Sequence, residues 1–181
     1  MALQNFGSLT QPVNGTGGKL KGVELTLSLP GELLGETLRG FGTILSISQT
    51  DSAIRVADLS GATGTDSLPL PGLSKTVWST TFYYEQAGFS ARIATRARSK
   101  YIGEVTNFAN ERKPKFVKGD QITDFQTGYE FGDGHLKGLS VLFQINNLTN
   151  EPYVAYSQVE ARLQDYQSYG RQYLLGVNLK L

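Results

Sequence analysis

Residues 76–101 read TVWSTTFYYEQAGFSARIATRARSKY, two alternating runs around Ala87-Gly88. A two-residue turn at that dipeptide fixes the pairing of its flanks. Setting Gln86 opposite Phe89 places Phe82 opposite Ile93, Trp78 opposite Ala97 and Tyr83 opposite Arg92. Apolar meets apolar on one face and polar meets polar on the other, as a side-chain period of two requires. The stretch is an antiparallel hairpin.

The same period extends in both directions. Val23, Leu25, Leu27 and Leu29 alternate with Glu24, Thr26 and Ser28. Leu139, Val141, Phe143 and Ile145 alternate with Ser140, Leu142, Gln144 and Asn146, and Tyr173 to Leu181 repeats the pattern. Seven strands are predicted: 19–29, 38–51, 76–86, 89–101, 120–131, 138–148 and 170–181. Soluble strands usually take about 5–6 residues, whereas a tilted membrane-spanning strand takes about 9–11. The predicted lengths fit the second figure.

The connections sort by length. Residues 52–75, 102–119 and 149–169 are long, and alternate with short links at 30–37, 87–88 and 132–137. Alternate connections of an up-and-down barrel share a rim, and bacterial outer-membrane barrels keep short turns on one rim and long loops on the other. The fold class read from the chain is therefore all-β: an antiparallel up-and-down transmembrane β-barrel, of which these are seven strands.

Composition agrees. The 181 residues include 21 glycines, 18 Tyr plus Phe and one Trp, the mix of a β-rich chain with many turns. A net charge of +1 gives no electrostatic footprint for nucleic acid. The absence of cysteine excludes a disulfide framework and thiol chemistry. No apolar run approaches the ~18 residues of a membrane helix, but alternating strands average to neutral hydropathy. Met1 to Gly7 has neither a basic leader nor an apolar core, so the chain is expected either to be cytosolic or to lack its natural beginning.

In a membrane, one face meets lipid and the other lines the lumen. The expected lipid band holds Val23, Leu25, Leu27, Phe41, Leu45, Ile47, Phe82, Ile93, Phe125, Val141, Phe143, Ile145, Leu175 and Val177. The expected lumenal set runs from Glu24 and Thr26 through Ser79, Tyr83, Arg92, Arg96, Arg98, Asp124, Gln126 and Gln144 to Asn178. Tyr84, Phe89, Tyr101, Tyr129, Phe131 and Tyr173 lie near strand ends, like an interfacial girdle. Arg92, Arg96, Arg98 and Lys100 share a strand face. They read either as a ladder gripping a plug or anionic solute, or as a solvated face satisfying carboxylates such as Glu85.

Several segments resemble one family. Asn14-Gly15-Thr16-Gly17-Gly18 leading into Leu20-Lys21-Gly22-Val23-Glu24 is similar to a "G-x-E" strand entry of TonB-dependent receptors. Leu70-Pro71-Gly72-Leu73-Ser74-Lys75 resembles their loop-to-strand approach, and Gly88-Phe89-Ser90-Ala91-Arg92 and Arg98-Ser99-Lys100-Tyr101 the following hairpin arm. Phe143 to Tyr153, FQINNLTNEPY, resembles the "NLT/FD-x-x-Y" penultimate strand, and Tyr169-Gly170-Arg171-Gln172-Tyr173 the "G-R" opening of the last one. The likeness spans residues 13–181 and its wording is closest to large receptors of Xanthomonas- and Caulobacter-type bacteria.

The resemblance implies that residues 1–181 are the C-terminal portion of a receptor barrel, without plug domain or earlier strands. It implies a place in the cell outer membrane and uptake of a scarce solute, carbohydrate ahead of siderophore. Implied partners are lipid, the solute, the TonB complex through a missing N-terminal region, and the barrel-assembly machinery through Tyr173 to Leu181. The terminal Leu181 stands where such barrels usually end in Phe. A passive pore and a soluble β-sandwich binding module share the strand pattern and remain as alternatives.

No enzyme, cofactor or metal is expected. His135 sits in a short turn far from any outer serine, Gly15-Thr16-Gly17-Gly18 has no following lysine, and Asp51, Asp58 and Asp66 lack calcium-loop spacing. Candidate solute contacts are the loop residues Asp58, Asp66, Asn107, Tyr153, Tyr156 and Tyr166, with lumenal Arg96 and Arg98.

Overall fold

The computed structural model describes residues 17–55, 67–108, 111–157 and 159–180. In chain order the strands are β1 (Gly18–Pro30), β2 (Phe41–Arg55), β3 (Ser67–Leu68), β4 (Thr76–Gln86), β5 (Phe89–Arg98), β6 (Tyr101–Phe108), β7 (Glu111–Val117), β8 (Asp120–Glu130), β9 (Leu139–Asn146), β10 (Tyr153–Ser157), β11 (Leu163–Gln167) and β12 (Gln172–Leu179). Seven long strands form one antiparallel meander, β1-β2-β4-β5-β8-β9-β12, with β3 against β2. Among the described residues β1 and β12 are edges, so the wall is open.

The hairpin register is as read from the sequence: Gln86 pairs with Phe89, Phe82 with Ile93, Trp78 with Ala97 and Tyr83 with Arg92. Ala87 and Gly88 have φ of 51° and 81°, the positive values that a primed turn needs at both central residues. The seven long strands match the predicted ones to within a few residues. The largest difference is β2, which runs from Phe41 to Arg55 instead of 38–51; β5 stops at Arg98 and leaves Lys100 outside the strand.

Following the register across the sheet separates two faces. Phe82, Ile93, Phe125, Ile145 and Tyr173 form one cross-strand row on the outer face. Leu25–Ile47–Trp78 and Phe143–Leu175 extend that face. It is open to the surroundings: Leu25, Leu175 and Val177 are 66%, 73% and 67% exposed. Several hydroxyls on this face, though not the buried one of Thr80, are tied to nearby oxygens: Thr43 donates to the Thr81 carbonyl and Thr127 to the Ser90 carbonyl, while Thr95 and Thr123 bond each other. That arrangement limits the cost of polar groups in hydrocarbon.

Phe41, Tyr84 and Phe89 pack in sequence as tilted rings at the short-turn rim, with Tyr129 packed edge-on against Phe131 beside them. These rings form the expected girdle on that rim. Tyr101 does not belong to it. Its ring lies 4.6 Å beneath the Arg98 guanidinium, turned to the inner side by the chain's departure from β5.

The long connections differ most from expectation. Two of them, read as plain loops, carry β6, β7, β10 and β11, which join in a second sheet of order β11-β10-β7-β6. β7 and β10 zip the two loops together through Val117–Ala155, Phe116–Tyr156 and Lys115–Ser157. Pro114 is tolerated because β10 reaches only Lys115, so β7 is an edge at that point. Of the most buried apolar residues, Ile102, Val117, Ala155 and Tyr156 lie in this outer sheet, and Ala97 lies in β5, one residue from its end.

Candidate functional site

The rim carrying the outer sheet holds a pocket of about 550 Å³ between β5, β8, β9 and the loop after β9. Arg96 and Arg98 stand two apart on β5 and so face the same, inner side. Asp120 sits directly across the ladder from Arg98, and Asp124 diagonally across from Arg96. The Arg98 Nε and Nη2 both donate to Asp120 Oδ2, at 3.0 and 2.8 Å. Arg96 Nη1 donates to Asp124 Oδ2 at 2.9 Å. The second Asp124 oxygen accepts the Asn147 backbone N–H at 2.9 Å.

Asn147 anchors the far wall. It sits at φ 53°, a left-handed conformation that Asn adopts more readily than most residues. Its side chain accepts the Glu151 N–H at 2.8 Å and donates to the Glu151 and Gly170 carbonyls at 3.0 and 3.2 Å. Arg171 Nε donates to the Leu148 carbonyl at 2.8 Å, and the Leu148 N–H to the Thr123 carbonyl at 2.7 Å. The start of the last long loop is therefore pinned to β8 and its end to that start, with Tyr153 and Tyr169 brought to the pocket.

Of the sequence candidates, Arg96, Arg98 and Tyr153 come together here. Tyr166 is 64% exposed on β11, outside the pocket. Tyr156 needs correction as a solute contact: it is 3% exposed, with its ring stacked on Phe116 at 5.7 Å, and it packs the outer sheet. Asn107 lies in β6 opposite Arg112. Asp58 and Asp66 lie outside the described residues. The carboxylates that satisfy the arginines are Asp120 and Asp124 rather than Glu85, which pairs with Ser90 near the opposite rim. Carrying the hairpin register one strand further, to β8, would have found them.

On the outer sheet, Lys115 Nζ lies 2.6 Å from Asp165 and 3.3 Å from Glu104, linking β7 to β11 and β6. The hydrogen bond to Asp165 leads in holding the Lys115 ammonium above its ordinary range, with Glu104 adding and burial opposing. A raised lysine contributes stability that is complete below its unfolded value of about 10.4 and is lost as pH rises through the folded value. The clamp is thus intact at neutral pH. Lys115→Met should speed amide exchange in β7, β10 and β11 about two- to fivefold, as loss of a partly exposed ion pair implies. The spanning strands should be unchanged; hydrogen exchange read by mass spectrometry checks this, and uniform acceleration would refute a local clamp.

No curated protein and no solved structure matches the chain. A family model does, the one described as "TonB dependent receptor-like, beta-barrel", over residues 2–148. The match takes in the first six long strands, and β12 joins them through an unbroken register with β9 from Gln172–Asn146 to Leu179–Leu139. An apolar outer face, a polar inner face, a girdle and loops gathered on one rim agree with that match, and the chain belongs to the TonB-dependent receptor-like β-barrel family of outer-membrane transport receptors.

Proposed function

We propose that this chain supplies the C-terminal wall of an outer-membrane receptor that binds a scarce solute of carbohydrate or siderophore type and imports it with TonB-derived energy. The observation that carries the reading is the coincidence of a lipid-type outer face with a polar pocket beneath the zipped outer loops. Such a wall separates lipid from a solute path by the alternation of its side chains alone. The two edges, unpaired among the described residues, call for further strands, because lipid does not satisfy exposed ladder groups. In this reading earlier strands complete the barrel, a plug fills it, and the alternating Tyr173 to Leu181 tail addresses it to the assembly machinery.

A soluble sandwich would bury the face carrying Leu25, Leu175 and Val177 between two sheets, whereas these residues are largely exposed. A passive pore remains the competing reading. The two part on energy coupling. A strain lacking the complete receptor should lose growth on limiting amounts of one member of a panel of oligosaccharides and ferric chelates. Deletion of TonB should reproduce the defect. Uptake that persists without TonB would establish a passive pore, and a receptor absent from the outer-membrane fraction would overturn both.

A further inference from the structure

We propose that the pocket beneath the outer sheet selects an uncharged, hydroxyl-rich solute over an anionic one, and that Asp124 enforces this by neutralising Arg96. The inference rests on the transport reading above and adds to it the chemical class of the ligand and a residue that sets it.

Charge decides the class. The pocket's ionic side chains are Arg96 and Arg98 against Asp120, Asp124 and Glu151, an excess of one negative charge among the described residues. Both guanidinium groups are already engaged, at 2.9 Å to Asp124 and at 2.8 and 3.0 Å to Asp120. An entering anion would either displace a carboxylate from a charge-assisted bond or take the remaining Arg96 N–H groups while lying beside that carboxylate, in a pocket already one charge negative. An uncharged ligand meets no such obstacle. It finds the remaining N–H groups of Arg96, whose side chain is 62% exposed, and the amides of Asn146 and Gln172. Tyr153 and Tyr169 add two aromatic rings suited to the C–H faces of a sugar-like ring.

Asp124 is the residue to change because it is held from both sides. One oxygen takes Arg96 and the other takes the Asn147 N–H. Asparagine in its place keeps the shape and an oxygen for the Asn147 N–H while removing the charge, which frees Arg96 to meet an anion. The effect is therefore electrostatic and reversible by a second substitution.

The test uses the complete receptor, purified in detergent, titrated calorimetrically with neutral oligosaccharide mixtures from starch, cellulose and xylan and with their sulfated derivatives. A neutral mixture should bind at least about tenfold tighter than its sulfated derivative, and Asp124→Asn should shrink that margin to about threefold or less. Arg96→Gln should widen that margin, and the double variant Arg96→Gln/Asp124→Asn should restore it. These last two keep the proposal testable should Asp124→Asn alone fail to fold, which heat-modified gel mobility reports. Absence of neutral binding, tightest binding of the sulfated derivative, or a margin indifferent to residues 96 and 124 overturns it. TonB-dependent uptake of a sulfated solute would overturn this inference while leaving the transport reading in place.

Discussion

Replacing Ile145 by arginine should cost the complete barrel about 2–4 kcal/mol of folding free energy in lipid, the range for a cation near the bilayer midplane of a barrel's lipid face. Ile145 lies in the outer row between Phe125 and Tyr173, six residues along β9 from the short-turn rim at Leu139. A side chain leaving that row points away from the lumen, so a guanidinium there must stay in hydrocarbon or distort the strand to reach water. The neighbouring Gln144→Arg tests the opposite face. Gln144 faces inward, its amide donating to Gln126 at 2.9 Å, and an arginine there gains water and lumenal acceptors. Its cost should fall below about 1 kcal/mol, near that of an ordinary surface change. Urea titrations of the two variants in the same vesicles decide the matter, and equal costs would show that the faces are misassigned.

The contrast can be framed one residue apart because the register was legible from the sequence. A two-residue turn leaves little freedom, and the Phe82–Ile93 and Tyr83–Arg92 pairings follow from Ala87-Gly88 and the period of two. Loop sorting was legible for the same reason: strand length and connection length are properties of the chain, not of its packing. The outer sheet was not. β10 and β11 have five residues each, too few to establish a period, and the register shift between Ala155 and Tyr156 breaks what alternation they have. β7 carries Pro114 and β6 a shift beside Gly103, both of which read as loop.

That gap limited the reading of the site as well. Once Tyr153, Tyr156 and Tyr166 are taken as loop residues, nothing distinguishes a ring that faces a pocket from one that packs a sheet. The strand does distinguish them, sending Tyr153 to the pocket and Tyr156 against Phe116. Arg96 and Arg98 were found because a basic run on one strand face is visible in isolation. Their partners were not, since a carboxylate two strands of sequence away becomes a neighbour only through the β5–β8 pairing, across a connection that folds into a sheet of its own.

Substitution of Asn147 by alanine should destabilise the rim by about 2–4 kcal/mol, combining three lost side-chain hydrogen bonds near 1 kcal/mol each with a penalty for alanine at positive φ. The sum is not strictly additive, because the Glu151 contacts form one ring of bonds and open together. Asn147→Gly separates the two causes: glycine accepts φ 53° without steric cost but makes none of the bonds, so it should recover about 1 kcal/mol of the loss. Urea titration of the complete barrel gives the ordering, and hydrogen exchange locates it, with the Glu151 amide losing protection in both variants because its acceptor is the Asn147 side chain. Loss of the link to Gly170 also frees the two arms that carry Tyr153 and Tyr169, so binding in the pocket should weaken in both variants while the inward charges stay paired. Asn147→Ala and Asn147→Gly each matching the unaltered barrel in stability and exchange would show that the loop is held elsewhere. A stability order of asparagine, then glycine, then alanine makes Asn147 the staple that closes the last loop onto β8, a physical reason for that residue at that place.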